Sequence, residues 1–429
     1  MRTSRIGCGA GFSGDRIEPA EDLLRRGGLA DLVLECLGER TIALAHQRRL
    51  ADPGTGYDRR LPSRFERLLP LAVDHGVRVL TNMGAANPLA AGRVTRALLD
   101  RIGSSAKVGV VTGDDVLAEL DLDALAWETG LPLRAHGEIV SANAYLGADA
   151  IWPVLEADAD VVITGRVADP SLFLAPLAHR LGWDLDDAQA AAAGTLVGHL
   201  LECAGQLTGG YFADPGYQDV PGLADLGFPF ADVAADGSAE LGKLPDTGGL
   251  LSRATVREQL LYEITDPAAY RTPDVLLDVR GVTVDEHPGG VRVAGALGKP
   301  RPDELKVSVG YRAGEKVEAE ISYVGPNAAR RAALAGEIVS ARLAGVPMRA
   351  EVRGGETDSR LRVAAISRDS ELLTRVGDEV ESLYTNGPAG GGGVRVHIGE
   401  VIGIVSALIP RERVRPAVTL LEAGHAVAP

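Results

Sequence analysis

Five short apolar runs, separated by amphipathic stretches, constrain this chain more than any other feature. They lie around Ile6 and at Leu32–Cys36, Val77–Thr81, Lys107–Thr112 and Val161–Thr164. Each is short enough for a buried strand, and the segments between them carry a helical period. Residues 17–26 show this best. Ile17, Ala20, Leu23 and Leu24 fall on one helical face, with Pro19 near the start and Gly27-Gly28 at the end. Strand–helix alternation of this kind predicts an α/β fold, a mostly parallel sheet covered by helices.

Three of the runs end alike. Residues 79–82 read VLTN, 110–113 read VVTG and 162–165 read VITG. Each places Thr at the carboxyl end of a strand and leads into a small polar loop. In open α/β sheets ligands bind along that edge. The loops expected there are TNMGAANP (81–88), TGDD (112–115), TGRVADPS (164–171) and SANAYLGA (141–148). Gly, Asn and Asp are ordinary turn residues, so any one loop has a bland explanation. Together they predict a site on this edge.

The opening segment GCGAGFSGDR (7–16) adds to that expectation. A glycine-rich turn between strand and helix bares backbone N–H groups that stabilise an anion, which nominates Gly9, Gly11 and Gly14. The spacing partly suits a dinucleotide fingerprint, a weak signal alone. Asp15 is either a helix cap or an acid–base group. Arg16 opposes the helix dipole at that position, so it is nominated to bind a carboxylate or phosphate.

Other candidates follow from side-chain chemistry. Glu35 closes an apolar strand, where burial raises a carboxyl pKa and suits general acid–base work; an ion pair with Arg40 or Arg16 is the alternative. Arg166 and Asp169 follow an apolar strand at a spacing that lets them pair with each other or with a ligand. Asn82, Asn87 and Asn143 are nominated to orient a carbonyl or hydroxyl; Asn87 before Pro88 also reads as a cap. Thr208 and Tyr211 lie in TGGY (208–211), a loop that could touch a ligand. His199 and Cys203 share a helix face, yet a buried structural thiol is the commoner role for Cys. No His/Cys pattern supports a metal site, and no cofactor is expected.

The chain's 429 residues predict two domains. The texture changes near residue 272, from α/β alternation to alternating strands and turns. Residues 1–272 are therefore expected to form the site-bearing α/β domain and 273–429 a smaller α+β domain. There DEHPGG (285–290) predicts a hairpin, and NGPAGGGG (386–393) precedes a strand at 394–399. A formal charge of −15 disfavours a nucleic-acid partner. No apolar run reaches the roughly 18 residues of a membrane span, and MRTSRIGCG lacks the pattern of a signal peptide. Three cysteines without CxxC spacing fit a reducing compartment. A cytoplasmic homo-oligomer with a small-molecule substrate is expected.

Several long motifs together resemble one family. IGCGAGFSGDR, ECLGERTIALA, TNMGAANP, ITGRVADPS, ECAGQLTGGYFAD and REQLLYEITDPAAYRTPDV are similar to the acyclic terpene utilisation (AtuA) family over most of residues 5–323. The last part, with NGPAGGGG, resembles the ferredoxin-fold domain at the C-terminus of that family. The resemblance implies a bacterial protein linked to breakdown of acyclic terpenes such as citronellol and geraniol, or of other branched acids. Neighbouring enzymes in such pathways act on acyl-CoA thioesters. It transfers no catalytic residues, so the roles above rest on the residues themselves. The expected activity is a lyase or hydratase acting on a branched acyl-CoA, with Glu35, Asp169 and Asp15 as acid–base candidates. The alternatives are a non-catalytic subunit of an acyl-CoA carboxylase-type pathway and a Rossmann-type oxidoreductase.

Overall fold

A computed structural model describes residues 2–424; Met1 and residues 425–429, the ends of the two expected domains, lie outside the described residues. The fold is mixed α/β. Backbone packing divides the chain into two units. The first takes in residues up to Gly130, Val140–Val309 and Val405 onward; the second takes in Leu131–Ile139 and Gly310–Ile404. Residues 273–309, placed beyond the expected boundary, thus fall in the first unit.

The first unit is built on a ten-stranded sheet. Its strands lie in the spatial order Thr283–His287, Gly290–Ala294, Ala239–Lys243, Pro229–Ala234, Thr3–Ala10, Asp31–Leu34, Arg78–Thr81, Val161–Thr164, Val108–Thr112 and Ala417–Leu421. The centre, from Thr3–Ala10 to Val108–Thr112, is parallel. Every strand outside it is antiparallel. The expectation of a mostly parallel sheet therefore holds only for the centre. The two kinds of strand differ in burial as their neighbours require. Asp31–Leu34 and Val161–Thr164 are buried at every residue, whereas Pro229–Ala234 alternates buried and half-buried positions. A strand covered on both faces needs an apolar run, and one covered on a single face needs alternation.

Helices Glu18–Arg26, Leu61–His75 and Pro88–Arg101 pack side by side, as do Ala148–Glu156, Ser171–Leu181 and Ala188–Leu201. Both sets contact the sheet. The threonines that end the strands tie backbone together at this edge. Thr81 Oγ1 donates to the Leu34 carbonyl of the neighbouring strand at 2.8 Å, and Thr164 Oγ1 donates to Gly165 at 2.9 Å. The predicted hairpin exists with a tighter turn. Asp285, Glu286 and His287 belong to its first strand, and its second strand joins the large sheet beside Ala239–Lys243.

The second unit runs strand, helix, strand, strand, helix, strand. Its elements are Glu304–Val324, Ala328–Arg342, Met348–Gly354, Asp358–Ser367, Ser370–Asn386 and Gly391–Pro410. The first and last strands each contribute residues to both units. In space the strands are ordered Met348–Gly354, Asp358–Ser367, Glu304–Val324, Gly391–Pro410. Its core joins Val317, Ile321 and Val363 of the strands to Ala335, Val339, Leu373, Val376 and Val380 of the helices. Among the described residues, no helix is long and apolar enough to cross a membrane.

Candidate functional site

Three of the five parallel strands end on one cavity of about 340 Å³ in the first unit, while the expected loops 81–88 and 112–115 do not line it. Its wall includes Gly11 and Phe12 just past the first strand, Glu35 to Glu39 just past the second, and Ala168 to Pro170 after Val161–Thr164. Glu202 and Cys203 enter from the end of the helix Ala188–Leu201. Thr41, Tyr145, Tyr262, Glu263, Tyr270 to Pro273 and Glu304 to Lys306 complete it. Sheet topology thus gathers residues far apart in sequence at the carboxyl edge, where an open α/β sheet presents a ligand.

Glu35 and Asp169 share this cavity but not an environment. Glu35 is buried, and its Oε1 accepts from Leu37 N at 2.7 Å and Asn82 Nδ2 at 2.8 Å. Both donors are neutral. Burial, followed by the nearby Asp169 charge, pushes the Glu35 carboxyl up to about 8. Asp169 is ion-paired with Arg166, whose guanidinium also donates to the Leu37 and Val167 carbonyls. Burial raises Asp169 to about 6, with Arg166 opposing the rise. Arg166 is 1% exposed and sits 4.6 Å above the Tyr145 ring. Neutral donors around Glu35 and the Arg166 ion pair at Asp169 push the two carboxyls apart, Glu35 toward the neutral acid and Asp169 toward the ion, the arrangement in which paired carboxyls divide acid and base roles.

The remaining cations of the wall are matched to acids. Lys306 lies 3.3 Å from Glu39, which also accepts from the Tyr145 hydroxyl at 2.5 Å. Burial would raise the Glu39 pKa, but the Tyr145 hydrogen bond and the Lys306 and Arg166 charges hold it down at about 2. Arg271 lies 3.8 Å from Glu304.

Glu202 has no signal in the sequence, since it ends an apolar helix with no polar period. Its Oε1 lies 3.1 Å from His199 Nδ1. Burial, then the Asp169 and Glu263 charges, push its carboxyl well above the usual range. Burial pushes His199 down to about 4. Burial also raises the Cys203 and Cys36 thiols, which keeps both as poor nucleophiles.

Among the remaining nominated residues, only Gly11 lines the cavity. Asp15 Oδ2 accepts from Gly11 N at 2.8 Å and Phe12 N at 3.1 Å. The chain's own carboxylate therefore fills the expected anion cradle. Gly9 belongs to the strand Thr3–Ala10, which runs further than expected, and a Cβ there would meet Leu34 and Ala20. A Cβ on Gly14 would meet the Phe12 ring, and one on Gly11 would come within 2.4 Å of the Cys203 backbone. These glycines permit close packing. Arg16 points elsewhere and donates to the Leu223 and Ala224 carbonyls at 3.0 Å. That explains a cation at a helix start without a ligand, and it separates Arg16 from Glu35 and Arg166.

The three asparagines bind protein groups. Asn82 donates to Glu35, and its Oδ1 accepts from Cys36 N at 2.8 Å. Asn143 donates to Asp114 at 2.9 Å and faces His46 Nε2 at 2.9 Å. Asp114 in turn accepts from Arg166 N at 2.8 Å, so this buried chain fixes the backbone that carries Arg166. Asn87 caps the helix Pro88–Arg101 and clamps the Pro53 and Thr55 carbonyls. Thr208 is buried and donates to Gly227 O at 2.7 Å. Tyr211 is 89% exposed.

Fold and site define an α/β protein with a carboxyl-lined cavity at the edge of its parallel strands. The chain belongs to the acyclic terpene utilisation family AtuA, whose model matches residues 4–420. No curated protein matches it. Among solved structures, E. coli aspartokinase III in complex with lysine and aspartate (T-state) aligns with 95% of this chain and 96% of its own. The identity is 10% and the TM-score 0.19, too low to carry a fold assignment.

Proposed function

We propose that this chain is an acid–base enzyme of acyclic terpene breakdown, of the hydratase or lyase class, acting on a branched acyl group borne as a CoA thioester. One observation carries this reading. Two carboxyls line one cavity, Asp169 against a buried arginine and Glu35 against neutral N–H donors. In hydration of a 2-unsaturated thioester, ionised Asp169 takes a proton from water as the water oxygen bonds to the β-carbon. Neutral Glu35 delivers a proton to the α-carbon, and the reverse sequence expels water. The cavity volume suits an acyl group rather than the whole thioester. With Asp15 occupying the Gly11–Phe12 turn, a dinucleotide phosphate there has lost its donors, which weighs against an oxidoreductase. The strand–helix–strand–strand–helix–strand order of the second unit, with its sheet order, supports a ferredoxin-like domain.

The test is incubation of the purified protein with branched 2-unsaturated acyl-CoAs, followed by mass spectrometry for gain of water. Turnover is expected, with Glu35→Gln and Asp169→Asn each slower by about 10²–10⁴-fold. Unchanged turnover in both variants overturns the reading. Co-purification with an acyl-CoA carboxylase, together with pathway activity unaffected by Glu35→Gln, would instead make the chain a non-catalytic subunit.

A further inference from the structure

Among the buried side-chain atoms of the cavity wall, one oxygen has no hydrogen-bond partner. Asp169 is matched to Arg166, Glu39 to Lys306, and Glu304 to Arg271. Glu35 Oε1 accepts from two N–H donors. Glu202 is 5% exposed and lines the cavity, yet its Oε2 has no hydrogen-bond partner. A buried carboxyl oxygen left unsatisfied is costly, so it marks a place where the protein is incomplete without a ligand.

The Glu202–His199 pair limits what that ligand group can be. With both groups uncharged, the carboxyl proton has two placements, and the imidazole tautomer follows it. With the proton on Oε1, Glu202 donates to His199 Nδ1 and Oε2 is an acceptor. With the proton on Oε2, Nδ1–H donates to Oε1 and Oε2 is a donor. A hydroxyl, which both donates and accepts, satisfies either form. A free carboxylate satisfies only the second and would sit near Asp169 and Glu263, where like charge repels it. An ammonium satisfies only the first.

We infer that Glu202, oriented by His199, forms a hydroxyl subsite, and that the ligand is a hydroxylated branched acyl compound. This rests on the acid–base reading above. It places the hydroxyl, or the water from which it is made, at the helix end Leu201–Cys203, beside Asp169.

A matched pair of probes tests it: 3-hydroxy-3-methylbutanoyl-CoA and 3-methylbutanoyl-CoA, titrated calorimetrically into the full-length protein. The wild type is expected to bind the hydroxylated thioester about tenfold tighter. Glu202→Gln, whose amide both donates and accepts, keeps that preference. Glu202→Met abolishes it while still binding the 3-methylbutanoyl thioester. Circular dichroism of unliganded Glu202→Met, and its retained binding of the 3-methylbutanoyl thioester, show that the variant is folded. Equal affinities for the two thioesters in the wild type overturn the hydroxyl subsite alone. A tenfold preference that survives in Glu202→Met overturns it too. Failure of the wild type to bind either thioester overturns both the subsite and the acyl-CoA reading.

Discussion

Arg166 and Asp169 form an ion pair three residues apart, with the guanidinium almost wholly buried and the carboxylate 31% exposed. The same guanidinium donates to the Leu37 carbonyl, so one side chain links the loop bearing Asp169 to the segment that follows Glu35. Arg166→Met removes the cation and leaves a mostly buried carboxylate beside Glu35. Breaking a buried pair typically costs 3–5 kcal/mol. Because Asp169 keeps some solvent, a loss of about 3 kcal/mol is expected in urea unfolding. The variant should lose activity as well, with the acid limb of its pH profile displaced upward. A variant as stable as wild type would show that the pair contributes nothing.

Glu35 and Asp169 together set a pH window. Activity in the proposed direction needs Asp169 ionised and Glu35 protonated. A bell is expected, with limbs near 6 and 8. Turnover that rises monotonically from pH 5 to 9 would remove Glu35 as the acid.

Stability should follow the same carboxyl. The folded-state pKa of Glu35 lies above its unfolded value, so the folded protein binds the extra proton. Its contribution is fully present below about 4.5 and is lost as pH rises through about 8. Glu35→Gln should flatten this decline, which is at most about 1.4 kcal/mol per pH unit for one group. Unfolding titrations of both proteins at several pH values supply the comparison. Parallel curves would show that Glu35 ionises normally.

Asp15 offers a different kind of test, since its carboxylate occupies backbone donors that an anion could use. Asp15→Ala bares the Gly11 and Phe12 N–H groups. A loss of about 1–2 kcal/mol is expected. Sulfate should restore part of that loss in the variant and do less for the wild type. Absence of any sulfate difference in thermal unfolding would mean that the turn does not hold its shape without Asp15.

Gly11→Ala probes the close approach of the first strand's end to the Cys203 backbone. The added methyl has no room to relax against backbone atoms within 2.4 Å. Overpacking of this sort costs about 1–3 kcal/mol, and the shift would fall on the cavity wall beside Glu202. A neutral result in unfolding measurements would show that the wall yields easily.

The central strands and the cavity edge were legible because a doubly covered parallel strand must be an apolar run, and its carboxyl end must open into a loop. Glu35, Arg166 and Asp169 stand out as charges abutting such runs. Of the antiparallel flanks only the 285–290 hairpin was legible, since the place of each flank in the sheet depends on partners remote in sequence, as for Thr3–Ala10 with Pro229–Ala234. The asparagines show a further limit of local reading. An amide that orients a ligand carbonyl and one that orients Glu35 or Asp114 look alike until the fold says what is adjacent. Arg16 misled for the same reason, because the carbonyls of Leu223 and Ala224 reach it only through tertiary packing. Glu202 was silent, as a lone acid ending an apolar helix breaks no periodic rule.

The last strand of the large sheet has a consequence for synthesis. Thr112 donates to Ala417, 305 positions away in the chain. A ribosome must therefore add those 305 residues before the strand Val108–Thr112 gains its outer neighbour. Until then that edge stands open, a template for pairing with other nascent chains. The parallel strands that end on the cavity are thus made long before their sheet can be sealed.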